Sequence, residues 1–212
     1  MWRAVRIGLT APGEPIRLAR LMLRMFPAEP EKMGLLALML LQHSRQGARF
    51  DETGAPILLE DQDRSLWNRT MIAEALAMID KAMLHHQPGP YQIQAAIAAL
   101  HARAGKPEET DWEGMDQLYE ALERRAPSPV VTLNRAVAIW KLKGAQAALD
   151  MITPLSEALD GYFYFHGVRG TFLRQLERGE EACDAFRAAI ALAGTAAEAA
   201  HIRRQLDQLG NG

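Results

Sequence analysis

Apolar residues return along this chain at helical spacing, in stretches divided by Pro, Gly and polar turns. Glu14 to Phe26 reads as a short amphipathic helix with Arg17, Arg20 and Arg24 on one face; Pro27 ends it and Pro30 opens the next. Met33 to Leu41 is apolar on every side, the pattern of a helix buried among others. Leu66 to Leu84 puts Ile72, Leu76, Ile79 and Met83 on one helix face. Pro88-Gly89-Pro90 breaks that helix, and Pro90 suits the first turn of another that buries Ile93, Ile97 and Leu100. Gly105-Lys106-Pro107 and an acidic loop lead to a helix with Met115, Leu118, Tyr119 and Leu122, and Pro127-Ser128-Pro129 starts one with Leu133, Val137 and Trp140. Four more helices are expected around 144–158, 162–176, 179–192 and 195–209, the first kinked or shortened by Pro154. The single strand signal is the turn Phe50–Pro56 with Ile57-Leu58-Leu59, read as one small β-hairpin near 48–59.

Helices of this length joined by short turns suggest antiparallel pairs. Ala136 and Ile139 recur as Gly170 and Leu173, and Ala148 and Ile152 as Ala182 and Phe186, each 34 residues on. A looser copy holds Met115, Tyr119, Leu122 and Pro127. This is a tetratricopeptide-like period. The predicted fold is all-α, with antiparallel helix pairs stacked as a right-handed superhelix. One continuous domain spans 14–210, an N-terminal helical part at 14–84 followed by repeats at 85–210, with 1–13 as a linker or remnant.

Composition narrows the classes of function. The 212 residues carry 24 Lys+Arg against 26 Asp+Glu, a net charge of −2, so nothing draws the chain generally to nucleic acid or anionic lipid. The one cysteine, Cys183, rules out a disulfide framework and a cysteine-based zinc site. The longest apolar run, Met33 to Leu41, falls far short of a membrane span, and the N-terminus is too charged for a signal peptide. A cytoplasmic protein is expected.

Candidate chemistry is sparse. His85 and His86 diverge on a helix, and His43, His101, His166 and His201 lack a partner three or four residues away. Asp61, Asp63 and Ser65 imitate the start of a calcium loop, but Leu66 and Ile72 stand where its Gly and bidentate Glu belong. Asp63 or Ser65 can instead cap the helix that follows. The cluster Glu60, Asp61, Gln62, Asp63, Arg64 and Trp67 either pins two layers together or forms a docking surface. Tyr91, Gln92, Gln94, His101, Tyr119, Asn134 and Arg135 recur on inner helices, where they either hold a peptide in a groove or form a network between repeats. No nucleophile elbow, phosphate loop or dinucleotide fingerprint is present. Neither an enzymatic activity nor a cofactor is expected.

Longer strings go further than periods. Leu58-Leu59-Glu60-Asp61-Gln62-Asp63-Arg64-Ser65-Leu66-Trp67 is one, and Pro88 to His101 (PGPYQIQAAIAALH) is a second. Asp111-Trp112 and Ser128 to Ala138 (SPVVTLNRAVA) complete the set. Together these closely resemble the C-terminal extension of one group of extracytoplasmic-function RNA polymerase sigma factors, in which a tetratricopeptide-like domain follows two promoter-recognition domains. The resemblance runs from about Glu14 to Leu209, and those two domains have no counterpart in it. It implies a regulatory module acting in transcription initiation by protein contact. The implied partners are the sigma factor's promoter-binding domains, RNA polymerase or a regulatory protein, with no DNA binding by this chain alone and no membrane. A stand-alone peptide-binding adaptor is the other reading of the same helices. Gly167 and Gly170 depart from the family, whose members carry helix formers there, which puts the stability of the last repeat in question.

Overall fold

A computed structural model describes residues 13–52, 54 and 56–210. The linker reading of 1–13 therefore falls, apart from Gly13, outside the described residues. Those residues are all-helical. The helices are α1 (Glu14–Met25), α2 (Pro30–Ser44), α3 (Arg69–Met83), α4 (Pro90–Arg103), α5 (Trp112–Arg125), α6 (Pro129–Lys143), α7 (Ala145–Ile152), α8 (Phe163–Gln175), α9 (Gly179–Ala191) and α10 (Ala196–Gly210). None is long and apolar enough to cross a membrane.

Local chemistry explains most of the boundaries. Pro30, Pro90 and Pro129 occupy the first turns of α2, α4 and α6, where a missing N–H costs nothing. Asp111 accepts from the Gly114 N–H at 2.8 Å to cap α5, and Ser128 from the Val130 N–H at 3.3 Å to cap α6. Helix α7 stops at Ile152, and Pro154 sits in the 3-10 turn after it.

Two expectations are corrected. The helix expected from Leu66 starts at Arg69, because Arg64–Leu66 form a 3-10 turn and Trp67 is extended. Asp63 caps that short turn, accepting from the Ser65 N–H at 2.8 Å, while Asn68 caps α3 through the Met71 N–H at 3.0 Å. The hairpin expected near 48–59 is a lone antiparallel bridge between Phe50 and Pro56, with no strand among the described residues. Pro56 has no N–H to donate and Phe50 is 59% exposed, so neither a ladder nor a buried face supports further pairing.

The chain divides into two compact units. The first takes the chain up to Arg49 and again from Leu59 to Ala126; the second takes Phe50–Leu58 and everything from Pro127. In the first unit α2 packs against α1, α3 and α4, which is why it is apolar all round; Met33, Leu36, Ala37 and Leu40 are fully buried. Ile16 and Ala19 of α1, Ile72 and Ala75 of α3, and Ala95 and Ala99 of α4 close this core.

In the second unit α6 folds back on α7 across Gly144, whose φ of 87° suits glycine, and α8 packs on α9, which packs on α10. Pro129 to Phe163 and Ala145 to Gly179, the starts of α6 and α8 and of α7 and α9, are both steps of 34 residues. The same spacing separates two side-chain pairs joining α8 to α10, Tyr164 donating to Glu198 at 3.2 Å and Arg174 to Gln208 at 3.1 Å. Leu133, Ile152, Phe165, Phe172, Leu173 and Phe186 fill the core between these helices.

The two glycines of α8 differ sharply. A Cβ on Gly170 would stand 2.5 Å from the ring of Phe186, which is fully buried, whereas one on Gly167 would meet only Ile202 Cδ1 at 3.5 Å. Gly167→Ala is therefore expected to stabilise the protein by up to about 1 kcal/mol through helix propensity. Gly170→Ala is expected to lose that gain to overpacking, which costs about 1–3 kcal/mol. Urea midpoints of the two variants should move in opposite directions.

Candidate functional site

The segment Glu60 to Trp67 turns inward at its basic and aromatic members. Arg64 is 8% exposed, and its Nη1 donates to the carbonyls of His101 at 2.7 Å and Ala104 at 2.5 Å. These carbonyls lie in the last turn of α4 and at its C-cap, where no further helical N–H is available to donate to them, and a cation complements the negative end of a helix. Trp67 is 3% exposed within the core of the first unit. The guanidinium carbons of Arg64 and Arg45 lie 5.0 and 5.8 Å from its ring centre. Arg45, at the end of α2, also donates to Gln42 Oε1 at 2.5 Å. One Trp stacked by two arginines thus ties together the ends of α2 and α4 and the 3-10 turn. Of the remaining members, Glu60, Asp61 and Asp63 are exposed and Gln62 is buried. For Arg64 and Trp67 this is the geometry of a pin.

The cationic surroundings act on titration. Burial, with help from Arg49 and Arg64, lowers Arg45 to about 10, so it stays charged at neutral pH. Arg64 is lowered mainly by burial. Burial first, then Arg45 and Arg64, lowers His101 to about 4, and its ring packs edge-on to Trp112 at 5.7 Å. His101 is therefore neutral in the fold at pH 7. Because its folded pKa lies below the ordinary value of 6.5, the unfolded chain binds the proton first, and stability falls as pH drops from 6.5 towards 4. Between pH 6.5 and 5 this single group removes about 1–2 kcal/mol. His101→Gln should flatten that slope in urea titrations, since Arg64 holds only the main-chain carbonyl of residue 101.

The opposite end of α4 is held from another helix. The Glu31 carboxylate of α2 accepts from the N–H groups of Tyr91 at 3.0 Å and Gln92 at 3.1 Å, and from Gln92 Nε2 at 3.2 Å. It fills the space a side chain on Gly89 would need, which explains the glycine of Pro88-Gly89-Pro90. Gln92 Nε2 also donates to the Gln87 carbonyl at 3.2 Å. Three residues further along α2, Gly34 lets the two backbones meet: a Cβ there would lie 2.6 Å from Gln92 N.

The groove candidates separate accordingly. Gln92 is 4% exposed and belongs to this internal clamp, while Tyr91 beside it is exposed and Gln94 half-buried. His101 is half-buried at the other end of α4, and Tyr119 is buried on α5. Asn134 and Arg135 are half-buried on α6, in the second unit. Among the described residues no group of three or more His, Cys, Asp or Glu is placed to hold a metal ion. Glu31, Gly34, Arg45 and Asn68 do work that the sequence did not single out. The signal for Asn68 was present, since Asn directly before the first residue of a helix is a preferred cap. Glu31 acts on residues sixty positions away and left no local trace.

Comparison with known proteins adds two findings. Residues 7–83 match the model of a family of unknown function, DUF6596. Over 196 residues the chain is 70% identical to an uncharacterized protein of Rhizobium meliloti (strain 1021), a match covering 92% of this chain and 46% of the relative. The chain spans less than half the length of that relative.

Proposed function

We propose that this chain is the C-terminal regulatory module of an extracytoplasmic-function sigma factor, a tetratricopeptide-like stack of helix pairs. It works in the cytoplasm, in transcription initiation, by contact with other polypeptides and without making or breaking a bond. The observation that carries this reading is the length of the relative: more than half of it lies outside a match that takes in nearly all of this chain. That remainder has room for two promoter-binding domains of about 100 residues each. The Glu60–Trp67 and Pro88–His101 strings, where the resemblance is densest, support it. So does the step of 34 residues shared by helix starts and by the α8–α10 side-chain pairs.

The test uses the full-length relative and core RNA polymerase on genomic DNA of the same organism, with transcript 5′ ends mapped by sequencing. New start sites sharing one promoter sequence are expected only when the relative is present. An unchanged set of start sites would contradict the reading, and so would a sequence-specific gel shift by the 212-residue chain alone at physiological salt.

A further inference from the structure

Helix α1 is apolar on two sides. Ile16 and Ala19 face the core, yet Leu18, Leu21 and Met25 form a second stripe, 45%, 40% and 74% exposed, and Phe26 continues it at 46%. The spacing of three and four residues places Leu18, Leu21 and Met25 on one face. Among the described residues, Lys32 Nζ covers one side of the Phe26 ring at 3.6 Å from its centre, and Leu18, Leu21 and Met25 stay exposed. The neighbouring charges are already engaged with the unit itself: Arg17 pairs with Glu14, and Arg20 with Glu74 of α3 at 2.7 Å. Burial of Ile16 and Ala19, with the Arg20–Glu74 pair to α3, sets the rotation of α1, so the stripe stays outward.

At ~200 Å² for a whole large side chain, these four expose about 400 Å² of mostly apolar surface. One side of a contact between domains of the same chain is of that size. Most of the length of the 70% identical relative lies outside the part matched here. A tethered neighbour is present at an effective concentration near the millimolar range, so a patch this small suffices for it. We infer that the outward stripe of α1, Leu18, Leu21, Met25 and Phe26, is the seat of the portion of the longer protein that lies outside this chain. This rests on the reading above for the nature of that portion, promoter-binding domains, and on the exposed stripe for the place.

The experiment installs a photo-crosslinking phenylalanine analogue in the full-length relative, at the positions matching Leu21 and Met25 and, as a control, at the position matching exposed Arg187 of α9. Crosslinked peptides are then mapped by mass spectrometry. Links from the two α1 positions to the portion outside the match are expected, with yields at least tenfold above the control. Links confined to the matched region, links between two copies, or yields equal to the control would each overturn the inference. If the α1 links form but the relative directs no transcription, the docking surface stands and the sigma-factor reading falls. If transcription is directed without those links, the reverse holds.

Discussion

Trp67→Ala lowers the free energy of unfolding by about 3–5 kcal/mol, the loss expected for a buried Trp. The ring is 3% exposed and carries the stacked guanidiniums of Arg45 and Arg64. Its removal leaves a cavity and also loosens Arg64, whose two carbonyl acceptors at the end of α4 are then less well held. Trp67→Phe should cost much less. The indole N–H is buried with no acceptor among the described residues, so its loss forfeits no hydrogen bond there. Urea unfolding checks both variants: midpoints should fall in the order wild type, Phe, Ala at unchanged slope. An Ala variant within about 1 kcal/mol of wild type would show that the cluster is not a pin.

Gly34→Ala has the second large effect. Alanine for glycine in a helix ordinarily gains about 1 kcal/mol. Here the new Cβ would stand 2.6 Å from Gln92 N and 2.8 Å from its Cα, atoms of a backbone that Glu31 fastens to the same helix. No rotamer change relieves that overlap, so α2 and α4 must separate and Glu31 must release the first turn of α4. The net cost is expected to be about 2–4 kcal/mol, at or above the usual range for overpacking. A thermal midpoint lower by several degrees checks it, at about 2–4 °C per kcal/mol for a chain of this size. Gly167→Ala serves as the control, the same substitution where the new Cβ makes only an ordinary van der Waals contact, with Ile202 Cδ1 at 3.5 Å.

The helices were legible because their causes are local. Apolar spacing marks each face, and proline at the first turn or after the last marks the ends, so Pro30, Pro90, Pro129 and Pro154 each punctuate the chain where the pattern says. The step of 34 residues was visible in Ala136/Gly170 and Ala148/Ala182 because small residues must recur where helices approach closely; all four are buried. At Gly170 a close helix approach was plausible from its pairing with Ala136, while its place inside a helix counted against stability. The ring of Phe186, sixteen residues on, supplies the reason for a glycine. The candidate cluster was half legible: Arg64 with Trp67 stood out as residues that capping leaves unexplained. Their partners were hidden, since the carbonyls of His101 and Ala104 have no sequence signature. Pairing at 48–59 failed as a prediction because one bridge partner, Pro56, lacks a donor.

Helix α4 is held at both its ends, by Glu31 at the first turn and by Arg64 at the last. A module built this way presents surface, and the proposed activity lies in what that surface meets. The most direct measurement is gel filtration of the full-length Rhizobium meliloti relative mixed with core RNA polymerase. Co-elution as a stoichiometric complex, lost when an established sigma factor is added in excess, is the predicted result. Separate elution of the two at micromolar concentration would contradict the account.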